Sequence, residues 1–185
     1  MAKVYLFLAN GYEEIEGLTV VDLLRRANIE IVMVSITGEV YVTGSHHIVT
    51  KSDAVFEDCK FDDADMLILP GGMPGTKNLL EHDGLDILLK EFHGKGKNLA
   101  AICAAPKVLG TKGVLRGLKA TCFPGNEESL EGAIVSDDDV VEDHNIITSK
   151  AMGTAIDFSL AIIRKLVGEE EARQVAKSIY YAHYE

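Results

Sequence analysis

Val4-Tyr-Leu-Phe-Leu-Ala9, Ile29-Glu-Ile-Val-Met-Val-Ser35 and Met66-Leu-Ile-Leu69 are short, nearly continuous apolar runs. A strand with one wet face alternates polar and apolar residues. A run without that alternation has to be covered on both faces, as the strands of a parallel sheet are. Leu99-Ala-Ala-Ile102 reads the same way and runs directly into Cys103. Between the first two runs, Val20, Leu23, Leu24 and Ala27 fall at i, i+3, i+4 and i+7, the spacing of one helical face. Acidic residues lead that helix and Arg25-Arg26 close it, as the helix dipole prefers. The chain therefore opens strand–helix–strand, a parallel pair with a right-handed crossover. Alternating buried strands and helices predict an α/β sandwich around a mainly parallel sheet.

The segment Glu39–Lys51 has a different pattern. Val40-Tyr-Val-Thr43 and Ile48-Val-Thr50 flank Gly44-Ser-His-His47, which predicts a β-hairpin. A helical region is expected over Thr76–Gly94, and another from just after Cys103 to about Thr111. Residues 119–148 hold several short β-like pieces, among them Val140-Val141 and Ile146-Ile147-Thr148. Thr154 and Asp157 have the spacing of a capping box, followed by a stripe of Ile156, Leu160, Ile163 and Leu166. A final helix is expected from Glu169 to about Tyr181. With no repeat, linker or low-complexity stretch, residues 1–185 read as a single domain.

Composition removes several function classes. Hydrophobic residues make up 47% and charged residues 25%, enough core to exclude disorder. The net charge of −11, from 29 acidic against 18 basic residues, argues against nucleic acid or an anionic membrane as partner. No basic leader precedes an apolar stretch, and no run nears the roughly 20 residues of a membrane span, so a cytoplasmic protein is expected. Cys59, Cys103 and Cys122 are odd in number and widely spaced, which fits neither a disulfide framework nor a zinc site. No histidine pair has i, i+4 spacing, and no dinucleotide or phosphate loop is present. Neither a metal nor a cofactor is expected.

Chemistry in an open parallel sheet sits beyond the carboxyl ends of its strands. Three motifs fall there: Asn10-Gly-Tyr-Glu-Glu-Ile-Glu16, Pro70-Gly-Gly-Met-Pro-Gly75 and Cys103. Cys103 reads as the residue on a strained strand-to-helix elbow, where a helix N-terminus would favour its thiolate. The alternative is an inert buried cysteine. Gly71-Gly72 form either a tight turn or a close backbone approach to a reacting oxyanion. Among Glu13, Glu14 and Glu16, the apolar Ile15 between them predicts at least one inward carboxylate. A glutamate touching the thiol would have to share one proton with it, since two anions in contact disfavour each other. Cys59 follows Glu57-Asp58 and Cys122 lies between Thr121 and Phe123, so neither is expected to react as Cys103 does. None of His46, His47, His82, His93, His144 and His183 has a pattern that places it beside Cys103, and His46 and His47 are expected on the surface.

Gly11-Tyr-Glu-Glu-Ile-Glu16, Leu69-Pro-Gly-Gly72, Ala101-Ile-Cys-Ala-Ala-Pro106 and Gly153-Thr-Ala-Ile-Asp-Phe158 together resemble the ThiJ/PfpI superfamily, in its DJ-1-like branch, over essentially the whole chain. The resemblance implies a flavodoxin-like three-layer sandwich, class I glutamine amidotransferase-like, with the added hairpin and with Cys103 on a nucleophile elbow. It makes Glu16 the carboxyl that hydrogen-bonds Cys103, and Gly72 and Ala104 the oxyanion-binding N–H donors. It also implies a homodimer. The chain departs from protease-like relatives, which carry histidine where Ala104 stands, and from DJ-1-like ones, which carry histidine where Phe123 stands. An arginine at the family's dimer contact is replaced, on this reading, by His46. Peptidase activity is therefore not expected.

The function that follows is a cysteine-dependent enzyme acting on small reactive carbonyls, in the manner of a glyoxalase or deglycase. Cys103 would add to the aldehyde and Glu16 would move the proton. An oxidative-stress sensor or chaperone-like protector whose Cys103 becomes a sulfinate is the alternative, and a binding module without turnover is a third. All three need an exposed, activated thiol, and the sequence does not separate them.

Overall fold

A computed structural model describes residues 2–184. In chain order the strands are β1 (Lys3–Leu8), β2 (Glu30–Ser35), β3 (Tyr41–Thr43), β4 (Val49–Lys51), β5 (Ala54–Val55), β6 (Met66–Leu69), β7 (Asn98–Ile102), β8 (Lys119–Ala120), β9 (Ile134–Val135), β10 (Val140–Asp143) and β11 (Ile146–Ser149). The helices are α1 (Glu14–Arg26), α2 (Gly75–Glu81), α3 (Asp83–Gly94), α4 (Pro106–Thr111), α5 (Ala155–Val167) and α6 (Glu169–Ser178).

The main sheet has seven strands in the order β10-β11-β7-β6-β1-β2-β5. Every neighbouring pair in it is parallel except β10 with β11. Both faces are covered, as the apolar runs require. Val4, Leu6 and Leu8 of β1 pack on the side of α1, α5 and α6, while Tyr5 and Phe7 pack on the side of α2, α3 and α4. The molecule is thus a three-layer α/β sandwich with a mainly parallel sheet. The expected hairpin forms as β3 and β4, an antiparallel pair with Val42 opposite Thr50. It docks on the turn after β1, where the Gly11 N–H donates to the Thr43 carbonyl at 2.8 Å and the Ser45 N–H to the Tyr12 carbonyl at 2.8 Å.

Three local expectations are corrected. Thr76–Gly94 is not one helix, because the His82 ring nitrogen accepts from the Leu85 N–H at 3.0 Å and starts α3 anew. Thr154 stands at the N-cap of α5 without a side-chain cap bond; its hydroxyl is taken by Ser149 Oγ at 2.6 Å and the Ala151 carbonyl at 2.9 Å. The carboxylate of its expected partner Asp157 accepts instead from the Tyr181 hydroxyl, at 2.9 and 2.8 Å. The final helix stops at Ser178, and the Tyr181 N–H bonds the Ala176 carbonyl in the turn beyond it.

The α5 stripe is broader than the predicted one, since Phe158 and Ile162 are fully buried beside Leu160 and Ile163. Phe158 fills the α1–α5 layer against the sheet, with no exposed surface. Phe158→Ala should therefore cost about 3–5 kcal/mol. Urea unfolding followed by circular dichroism checks this; a lowered midpoint with unchanged slope is expected.

Candidate active site

From β1 the chain passes to β2 on one side and later returns to β6 on the other. The crevice of such a sheet lies at that reversal, beyond the strands' carboxyl ends. Here the turns after β1 and β6 interlock through backbone bonds. The Glu13 N–H donates to the Gly71 carbonyl at 2.9 Å, and the Gly75 N–H to the Gly11 carbonyl at 3.1 Å. Glycine is required for this approach. A Cβ on Gly75 would lie 2.5 Å from the Tyr12 nitrogen, and one on Gly71 would lie 2.6 Å from Glu16 Oε2 and 2.7 Å from Cys103 Cβ. The three predicted motifs thus meet at one place.

Cys103 follows β7 with φ +64°, in the left-handed region. Such a non-glycine residue costs on the order of 1–3 kcal/mol unless its surroundings hold it. They do: its N–H donates to the Ser149 carbonyl at 2.9 Å, and its carbonyl accepts from the Phe123 N–H at 2.8 Å. The elbow is present, but the helix does not start beside it. A turn closed by the Ala105 N–H on the Ile102 carbonyl, at 3.0 Å, separates Cys103 from α4.

Glu14 and Glu16 are both buried, while Ile15 between them is 50% exposed. The sequence reading reached the inward carboxylates through the wrong residue: in α1 the apolar side chain faces out and its two acidic neighbours face in. Glu16 Oε2 accepts the Gly71 N–H at 3.0 Å, and its carboxyl lies beside Cys103, the two sharing the space over Gly71. Burial pushes Glu16 up to about 7, against the opposing bonds from Cys103 and Gly71. Burial, then the Glu16 charge and hydrogen bond, pushes Cys103 up to about 12, although the N–H groups of Ala104 and Gly72 favour its anion. An unassisted thiolate, expected from the elbow and a helix terminus, is therefore not what this environment favours. Removing both charges from water beside each other costs more than the two N–H groups return. The thiolate is disfavoured beside an ionised Glu16 and is reached only while Glu16 holds a proton.

Cys103, Ala104 and Gly72 line a cavity of about 650 Å³ with Met73, Thr76, Lys77, Leu80, Lys107, Phe123 and Asn126. The sequence reading singled out the first three of these as site residues and passed over Thr76, Lys77, Lys107 and Asn126. Phe123, noted as standing where relatives carry histidine, is in the wall, and no histidine lines the cavity. The other thiols are held back: burial and then Asp58 and Glu57 raise Cys59, and burial and then Glu127 push Cys122 up to about 11.

His46 is exposed, and its Nδ1 lies 3.0 Å from Glu14 Oε2. Burial opposes ionisation of Glu14, but the His46 ring and the backbone N–H groups of His46 and Ile48 outweigh it and hold Glu14 at about 2. Glu13, Glu14 and His46 bring three donor atoms within 4.8 Å, the one such group among the described residues. Both Glu14 oxygens already accept hydrogen bonds there.

A cysteine on a left-handed turn at the end of a strand, over a mainly parallel α/β sandwich and beside a buried carboxyl, defines the class of protein. The chain matches the model of the DJ-1/PfpI family over residues 2–165, and it belongs to that family. It is 36% identical to the protein dj-1beta of Drosophila melanogaster over 96% of both chains. It is 35% identical to the protein DJ-1 homolog B of Arabidopsis thaliana over 94% of this chain, but spans only 40% of that relative's length. A deglycase of Pyrococcus abyssi is 32% identical over 82% of this chain and 91% of its own. The structure of oxidised Toxoplasma gondii DJ-1 superposes with a TM-score of 0.95 at 33% identity, covering 99% of this chain and 100% of that one. No helix among the described residues is long and apolar enough to cross a membrane.

The raised Glu16 gives a signed prediction. Its folded pKa of about 7 exceeds the ordinary 4.5, so the fold favours the protonated form. The associated stability is complete below the ordinary value and is lost as pH rises through about 7. Wild type should lose on the order of 2 kcal/mol between about pH 5 and about pH 8 that Glu16→Gln does not lose. Paired urea titrations at the two pH values measure the difference.

Proposed function

We propose that this chain is a cysteine-dependent enzyme acting on small reactive carbonyls, of the glyoxalase or deglycase kind. The observation that carries the reading is Cys103 on its left-handed turn beside the buried Glu16, at a cavity whose wall also holds Gly72 and Ala104. The deglycase named among its relatives supports the same substrate class.

In this reading Cys103 Sγ bonds the aldehyde carbon as the C=O π bond opens. The oxygen faces the Gly72 and Ala104 N–H groups and takes the proton held by Glu16, giving a hemithioacetal. For a 2-oxoaldehyde, Glu16 then removes the proton from the sulfur-bearing carbon and delivers it to the neighbouring carbon, while the hydroxyl proton on the first carbon's oxygen passes to the second carbon's oxygen. The first carbon is oxidised to a thioester as the second is reduced to an alcohol. Water cleaves the thioester, releasing a 2-hydroxy acid and restoring the thiol. Methylglyoxal would give lactate. The absence of histidine from the cavity wall among the described residues weighs against peptidase chemistry, which needs a base to activate the thiol and then, as its conjugate acid, to protonate the leaving amine. A homodimer using the hairpin face, where Ile48 and Val49 are exposed, and a cytoplasmic location belong to this proposal.

Methylglyoxal turnover by wild type, Cys103→Ala and Glu16→Gln tests the reading. Cys103→Ala should abolish turnover, and Glu16→Gln should lower it by about 10²–10⁴, since an amide cannot relay a proton. Undiminished turnover in Cys103→Ala overturns it.

A second reading, a redox sensor, is favoured by the fit to an oxidised DJ-1 structure. A protonated Glu16 would donate to a Cys103 sulfinate oxygen and hold oxidation at that stage. Mild peroxide should then add two oxygens to wild type and none to Cys103→Ser by intact mass, and Glu16→Leu should run on to sulfonate. Sulfinate accumulating equally in Glu16→Leu removes this mechanism.

A further inference from the structure

The cavity over Cys103 has a charge opposite to that of the chain around it. Acidic residues outnumber basic ones 29 to 18 overall, yet among the described residues the charged side chains lining the wall are Lys77 and Lys107. A concave site lined by one sign of charge concentrates the opposite ion. The lysines differ in their freedom. Lys77 is exposed and reaches Glu81 one turn on, at 3.8 Å. Lys107 is half-buried and has no ion pair or side-chain hydrogen bond among the described residues. It stands in the first turn of α4, where the helix dipole disfavours a cation, so its position gains nothing for the helix.

A separate observation in the same wall also points to a ligand. Thr76 is buried, and its Oγ1 has no hydrogen-bond partner among the described residues. A buried hydroxyl left unpaired costs about 1–3 kcal/mol. Thr76 belongs to the same cavity wall as both lysines and Cys103; its Oγ1 is covered, so a polar ligand atom would reach it only as the hydroxyl turns within that wall.

We propose that Lys107, with Lys77 and the Thr76 hydroxyl, is a specificity element that binds an anionic group on the carbonyl compound held at Cys103. This rests on the carbonyl reading above and narrows its substrate class. The favoured aldehydes carry a carboxylate or phosphate near the reacting carbon, and the carboxylate of a 2-hydroxy acid product would meet the same cation. Lys107 acts here as a positioning residue: it does not touch the bond made to sulfur.

Two alkylating agents of nearly equal size and opposite character measure this without turnover. Iodoacetate is an anion and iodoacetamide is neutral. The ratio of their rates at Cys103, mapped by peptide mass spectrometry, should fall roughly tenfold in Lys107→Met, the factor one charge-assisted hydrogen bond supplies. Lys107→Arg should restore most of it. Thr76→Val, which keeps shape and removes the hydroxyl, should lower the ratio while leaving thermal stability unchanged or raised. Reversible protection of Cys103 from iodoacetamide extends the test to carbonyls: the thiol adds across C=O and no other reactant is needed. Glyoxylate or glycolaldehyde phosphate should protect at least tenfold more tightly than neutral glycolaldehyde, and whichever binds tighter identifies the anion as carboxylate or phosphate. A ratio unchanged in the Lys77→Met, Lys107→Met double variant, or equal protection by the neutral aldehyde, overturns the proposal. Because the ratio needs no catalysis, it stands or falls separately from loss of turnover in Cys103→Ala.

Discussion

The turns that end β1 and β6 touch backbone to backbone, and the site exists because they come this close. Gly75 against the Tyr12 nitrogen and Gly72, at φ +92°, against the Glu13 nitrogen leave no room for a side chain on either. That contact fixes where α1 begins, and so where Glu16 points. It also sets the Gly71 N–H on the Glu16 carboxyl and brings the Gly72 N–H toward the Cys103 sulfur. The thiol, the acid and the donors come from three separate segments of the chain, but one steric constraint positions all of them.

Two glutamates two residues apart on α1 show how environment assigns different roles to one side chain. Glu14 is buried under the hairpin and is met by a histidine ring and backbone N–H groups, which hold it near 2. Glu16 is buried as deeply, but faces a thiol and another carboxylate, and is raised to about 7. Burial disfavours the charge in both cases; the donors available decide the outcome. Glu14 therefore clamps the hairpin as an anion, whereas Glu16 is held toward its protonated form. Gly44 makes the first role possible, since a Cβ there would lie 2.2 Å from Glu14 Oε1.

Much of this was legible in the chain itself. Unalternating apolar runs announced the parallel sheet, because covering on both faces leaves no polar register. The elbow was legible because a small-residue strand ends at Cys103 before Ala-Ala-Pro. What failed depended on partners far away in sequence. Thr154 and Asp157 had the spacing of a capping box, but Ser149 and Tyr181 compete for their side chains. His82 breaks a helix that periodicity ran straight through, because its ring caps the next one. The raised Cys103 thiol has a related cause. Local features favour the anion, whereas the desolvation that opposes it comes from the whole assembled crevice. Lys107 and Thr76 carried no motif, and only the cavity shows them on a common wall with the thiol.

The Cys103 N–H is anchored on Ser149, forty-six residues later in the chain, and Ser149 in turn bonds Thr154 at the head of α5. The elbow is therefore closed by the last strand of the sheet and not by its own neighbourhood. The conformation of Cys103 thus depends on the register of β11 with β7, and a change that loosens β11 or the head of α5 acts on the elbow without touching it.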